Sequence, residues 1–254
     1  MRRVRIEVDG QSLNGCLIEP DAPAPSPAIL FAHGWGGSQR QDLGKASRLT
    51  ALGIAALTFN FRGHARTRRQ VDTVSRADNL RDLGAAWDLL AATPGVDTAR
   101  MGVVGASYGG YLAVLLTAER PVRVLALQAP AIYRDRDFDR PKLELNLDGQ
   151  LPRYRRRTLA PEDNRVLALA ARFPGHVLLV ESENDTVIPH PVIQNYLRAF
   201  RRSAASVARH IVADADHALD DKRWRREYSA VLAGWLGSKL RPSMRRRPPV
   251  TVAS

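Results

Sequence analysis

The chain has 254 residues, a length between one large domain and two small ones, and its 44% hydrophobic and 25% charged residues exclude wholesale disorder. Its single cysteine, Cys16, excludes an internal disulfide framework and any cysteine-rich metal site. The net charge of +12 raises the question of nucleic-acid binding, yet all but four of the basic residues are arginines, in scattered clusters with no base-reading motif, so no nucleic-acid partner is expected.

No apolar run approaches the ~18–20 residues of a membrane span, and the N-terminus lacks the apolar core of a signal peptide. The expectation is therefore a cytoplasmic protein with no membrane partner. Val4–Val8 alternates with period two, and Asp9-Gly10 reads as a turn into a second strand over Leu13–Ile18, an antiparallel hairpin at a sheet edge. The stretch Pro20–Pro27 reads as a connector, because its closely spaced prolines forbid ladder and helix alike. Ala28–Ala32 is a continuous apolar run of the kind buried on both faces.

The alternation then repeats. Strands are expected at Ile54–Phe59, Met101–Gly105, Val122–Leu127, His176–Val180 and Val207–Val212, and helices at Ser75–Ala92, Tyr108–Ala118, Val192–Arg202 and Asp220–Leu240. This order predicts a mostly parallel central sheet of about eight strands with helices on both faces. From Ala131 to Arg165 no period is evident, which suits a cap inserted in a domain spanning 1–240; the basic, proline-containing residues 241–254 read as a flexible tail.

Gly105-Ala106-Ser107-Tyr108-Gly109 matches G-x-S-x-G between a buried-type strand and a helix. A serine on so tight a turn needs small neighbours, and the turn lifts its hydroxyl out at the C-terminal edge of the sheet. A hydroxyl becomes a good nucleophile only when a base takes its proton. Among the six histidines, His217 is the candidate base, because its loop falls between the last strand and the last helix, on that same edge. Asp185, in the loop after His176–Val180, is the candidate carboxylate to orient the imidazole, with Glu183 and Asp216 as the other acids in range.

The order Ser107, Asp185, His217 on these strand ends resembles the α/β-hydrolase superfamily over about Val4 to Leu240, and the size and short cap are most similar to its serine esterases and dienelactone-hydrolase-like members. His33-Gly34-Trp35-Gly36-Gly37 resembles the family's oxyanion turn, and Asn60-Phe61-Arg62-Gly63-His64 its usual loop after the fourth strand. The resemblance implies an α/β-hydrolase fold, an oxyanion hole from the Trp35 and Tyr108 backbone N–H groups, and acyl transfer from a small-molecule ester to water, with no metal or organic cofactor. His33, Tyr133 and Phe138 are expected at the substrate pocket. Amide or thioester cleavage, or acyl transfer to an alcohol, uses the same triad, and a non-catalytic ligand receptor is the remaining alternative.

Overall fold

A computed structural model describes residues 1–21 and 25–240; the expected tail lies outside them. The N-terminal strands β1 (Arg2–Val8) and β2 (Gln11–Ile18) pair antiparallel from Arg2 opposite Leu17 to Val8 opposite Gln11. Asp9 and Gly10 between them both take positive φ, 48° and 70°, as the tight hairpin turn demands.

The chain continues through β3 (Ser26–Ala32), α1 (Arg40–Thr50), β4 (Ala55–Phe59), α2 (Arg76–Ala91), β5 (Val96–Ala106), α3 (Tyr108–Leu116) and β6 (Val124–Gln128). It then closes with α4 (Leu151–Arg155), α5 (Arg165–Ala170), β7 (His176–Ser182), α6 (His190–Phe200), β8 (Ser206–Val212) and α7 (Lys222–Leu240). The eight strands form one sheet in the order β1-β2-β4-β3-β5-β6-β7-β8. β2 meets β4 antiparallel, and every pairing from β4 through β8 is parallel. This is the α/β-hydrolase topology that the motifs imply.

Strand alternation divides the core in two. Ala28, Leu30 and Ala32 of β3 point toward α2, α3 and α6, whereas Ile29 and Phe31 point toward α1 and α7. Both faces are dry, so the central strands read as unbroken apolar runs, and each fully buried leucine or phenylalanine contributes about 1.5–3 kcal/mol. α2 starts where Ser75 and Asp78 form a reciprocal capping box.

The structure adds to or corrects the sequence reading at three places. Helix α1 is absent from the sequence reading, because RQDLGKASRLT is polar overall and buries only Asp42, Ala46 and Leu49, too few apolar side chains to mark its inner face. The connector ends sooner than Pro27: that residue lies inside β3, at a register shift against β5 between Ser26 and Ala28, where its missing N–H is tolerated. Residues 131–165 show no period because their elements are short: α4 and 3-10 turns at 135–137, 142–146 and 161–163.

Candidate active site

Parallel strands carry their following loops to one edge of the sheet, and the three chemically interesting side chains arrive there on the ends of β5, β7 and β8. Ser107 turns the chain from β5 into α3 with φ 49° and ψ −109°, a strained conformation for a residue with a side chain. Two glycines make the turn possible. A Cβ at Gly109 would stand 2.1 Å from the Ala32 carbonyl oxygen, and one at Gly105 would stand 2.6 Å from Gly110 Cα. The strained backbone is held from three sides: Ser107 N–H donates to the Gln128 carbonyl (2.8 Å), and the Ser107 carbonyl accepts from Tyr111 and Ala131 N–H (3.1 and 2.9 Å).

His217 Nε2 lies 3.1 Å from Ser107 Oγ, and His217 Nδ1 lies 2.7 Å from Asp185 Oδ2. With Nδ1 protonated, the ring donates to the carboxylate and presents a lone pair to the hydroxyl, the arrangement a general base needs. The Asp185 side chain is only 3% exposed, and its other oxygen accepts from the Val187 and Ile188 N–H groups at 2.8 and 2.7 Å. Three hydrogen bonds therefore fix the carboxylate before any substrate arrives. The other acids serve the loops. Glu183 accepts from Asp214 N–H (2.9 Å), and Asp216 accepts from Asp220 N–H (3.1 Å), which shapes the turn carrying His217.

The Trp35 turn packs on the serine: a Cβ at Gly34 would come within 3.6 Å of Ser107 Cβ. Among the described residues neither Trp35 N–H nor Tyr108 N–H donates to an acceptor in the chain, so both are free to meet a developing anion. His33 holds this turn from below. It is 1% exposed, donates from Nδ1 to the Gly34 carbonyl (2.8 Å), and accepts at Nε2 from Phe61 N–H (3.2 Å). Burial pulls its pKa down to about 4, which keeps it neutral.

A cleft of about 800 Å³ opens beside Ser107 and His217, walled by α1 and the start of α7. His33 contributes to its lining; Tyr133 and Phe138 do not. Tyr133 is 2% exposed and meets Tyr108 and Tyr111 edge-on, with ring centroids 6.1 and 5.0 Å away. The fully buried Arg76 guanidinium lies over both Tyr133 (5.2 Å) and Phe138 (5.5 Å). Among the described residues no group of three or more His, Cys, Asp or Glu side chains is placed to hold a metal ion.

Three supporting residues carry little signal in the sequence. Gln128 Nε2 donates to the His217 carbonyl at 3.1 Å; its only sequence signal is a polar residue closing the apolar run of β6. Asn79 accepts the Tyr108 hydroxyl proton at 2.9 Å and donates to Asp82, which also holds Arg62. Lys142, which opens the 3-10 turn at 142–146, lies 4.5 Å from the Trp35 ring centroid and 5.9 Å from that of Tyr108.

Comparison with known proteins agrees with this architecture. A protein of Mycobacterium tuberculosis of uncharacterized function is 30% identical over 122 residues, 48% of this chain and 42% of that protein. The quorum-quenching protein AidA of Acinetobacter baumannii is 29% identical over 137 residues, 52% of this chain and 44% of that one. The chain thus spans less than half the length of these curated relatives. Among solved structures, a puromycin-hydrolyzing peptidase of Mycobacterium tuberculosis superposes with a TM-score of 0.72 at 18% identity, over 94% of this chain and 39% of that one. Est1E of Butyrivibrio proteoclasticus, solved with ferulic acid, gives 0.71 at 17% identity, over 93% and 98%. These structural likenesses speak to the fold. The sequence profile of the Prolyl oligopeptidase family matches residues 41–243, and the chain belongs to that family of α/β-hydrolases.

Proposed function

We propose that the protein is a serine hydrolase that cleaves a carboxylic ester through an acyl-enzyme on Ser107. The observation that carries this reading is the unbroken line Asp185 Oδ2, His217 Nδ1, His217 Nε2 and Ser107 Oγ, with contacts of 2.7 and 3.1 Å. As Ser107 Oγ attacks the carbonyl carbon, its proton passes to His217 Nε2, and the Asp185 carboxylate stabilises the imidazolium. The carbonyl oxygen gathers negative charge between the Trp35 and Tyr108 N–H groups. Loss of one such donor costs about 10²–10³ in rate in comparable sites. The tetrahedral intermediate collapses, His217 gives its proton to the departing alkoxide, and a water repeats the sequence on the acyl group. An ester is the least demanding substrate for this constellation, since an alkoxide needs less help to leave than an amine. Peptide-bond cleavage is the second reading, favoured by membership in the Prolyl oligopeptidase family.

The test is a panel of p-nitrophenyl esters of increasing chain length beside peptide anilides and acyl thioesters, assayed with the natural chain and with Ser107→Ala. Ester turnover that falls about 10⁴-fold or more in the folded variant is expected. Near-natural turnover by Ser107→Ala contradicts serine catalysis, and anilide cleavage without ester cleavage selects the second reading.

A further inference from the structure

We propose that a second cleft, lined by arginines on the far side of the Trp35 turn, is a binding site for a compact phosphate polyanion such as a di- or triphosphate group. It lies outside the Ser107 constellation and does not depend on the hydrolase reading. The cleft has a volume of about 1530 Å³ and is walled by β1 and β2, the first turn of α1 and the loop after β4. Arg3, Arg5, Arg40, Arg66 and Arg68 all line it, and no aspartate or glutamate does.

Strand geometry explains the first pair. Arg3 and Arg5 are two residues apart on an edge strand, so they share a face. Their cross-strand partners Cys16 and Asn14 line the same cleft. Arg2 alternates to the other face, where Glu19 lies 3.9 Å away. Arg40 opens α1, and Arg66 and Arg68 come from the 3-10 turn at 65–70. Among the described residues none of the five lining arginines has a carboxylate within 4.0 Å or a side-chain hydrogen bond, and all five are exposed. Some exposed arginines elsewhere on this chain find acids, Arg202 with Glu162 and Arg223 with Asp221, and others such as Arg172 and Arg201 do not; what sets the five apart is that they surround one concavity with no acid in its lining.

Five like charges around one concavity repel one another and focus a positive potential into it. A bound anion of several charges relieves that repulsion. Guanidinium forks match phosphate oxygens two by two, which favours phosphate over isolated carboxylates. The volume exceeds the ~300–1,000 Å³ typical of a small-molecule pocket, room for a nucleotide or coenzyme as well as its phosphates. The cleft also meets the Ser107 cleft at the shared turn Trp35–Gly37, so a bound polyanion would lie against the segment that presents the Trp35 N–H.

The experiment is calorimetric titration of the full chain at low salt with inorganic tripolyphosphate, ATP, coenzyme A and a 12-nucleotide single-stranded DNA. Three proteins are compared: the natural chain, Arg5→Glu/Arg66→Glu, and a charge-matched control, Arg172→Glu/Arg201→Glu, whose exposed arginines do not line the cleft. Circular dichroism establishes that each is folded. The proposal expects tripolyphosphate and ATP to bind the natural chain and the control alike, and at least tenfold more weakly to the cleft variant. Tighter binding of ATP or coenzyme A than of tripolyphosphate, lost in the same variant, identifies the nucleotide or coenzyme as the source of the phosphates. No binding of either phosphate ligand at 1 mM overturns the proposal. Equal losses in the control overturn it too, as does DNA binding without tripolyphosphate binding.

Discussion

Gln128 ties His217 to Ser107 through two ends of one residue: its side-chain amide donates to the His217 carbonyl at 3.1 Å, while its backbone carbonyl accepts Ser107 N–H at 2.8 Å. The residue is buried, 7% exposed. Gln128→Ala frees the histidine loop and trims one residue from the lining of the cleft beside Ser107. We expect kcat to fall about 10- to 100-fold, the range that misplacement of a reacting group costs. KM for an activated ester should change less than threefold. Gln128→Glu keeps the size, removes the donor and should behave alike. Steady-state kinetics check this, and unchanged kcat in both variants contradicts a positioning role.

The loop after β4 depends on a buried ion pair. Arg62 is 5% exposed and donates from Nε to Asp82 Oδ1 at 2.7 Å, and its backbone N–H reaches Asp82 Oδ2 at 2.9 Å. Asp82→Ala strands the guanidinium and leaves Asn79 without one partner. A loss of about 3–5 kcal/mol is expected on breaking such a pair. Urea denaturation measures it, and a loss below 1 kcal/mol would show that Asp9 and Asp78, which also approach Arg62, suffice.

Acid should weaken the fold through two histidines under the same turn. His33 and His64 have ring centroids 5.0 Å apart, and burial lowers each pKa to about 4, with the nearby His33 adding to the shift at His64. Both stay neutral in the folded chain at a pH where the unfolded chain takes up protons. Stability from this source is complete above the ordinary histidine pKa of ~6.5 and is lost as pH falls toward 4. A thermal melt series from pH 7.5 to 4.5 should show Tm declining below pH 6.5, with a shallower decline in His64→Asn. Parallel declines in the two proteins would assign the loss to other groups.

Lys142 presents the opposite opportunity. Burial, then the nearby Arg155 and Arg76, lower its pKa to about 8, and its ammonium faces the rings of Trp35, Tyr108 and Tyr133. At pH 7 it is charged in both states and carries a desolvation cost that the rings offset only in part. Lys142→Met should raise stability by about 1–3 kcal/mol at pH 7, a Tm gain of roughly 2–10 °C. The advantage should shrink between pH 8 and 10, where the folded lysine loses its proton before the unfolded one. A lower Tm at pH 7 contradicts this account.

The central strands, the hairpin and the elbow were legible because each leaves a local mark: apolar runs in β3 and β6, Asp9-Gly10 at a two-residue turn, small residues flanking Ser107. Asp185 and His217 were legible through position, since parallel strands deliver their loops to one edge. Helix α1 left no such mark. It rests on Ala46 and Leu49, and the cleft it helps wall was invisible with it. The same blindness covered Gln128, Asn79 and Lys142, whose partners lie 89, 29 and 107 positions away in the chain, beyond the reach of any periodic pattern.

The most direct measurement is reaction of the folded protein with a fluorophosphonate, followed by intact mass and peptide mapping. The account predicts one adduct, located on Ser107, that forms rapidly in the natural chain and at least 10³-fold more slowly in His217→Gln. Absence of an adduct on Ser107, or labelling at an undiminished rate without His217, would contradict it.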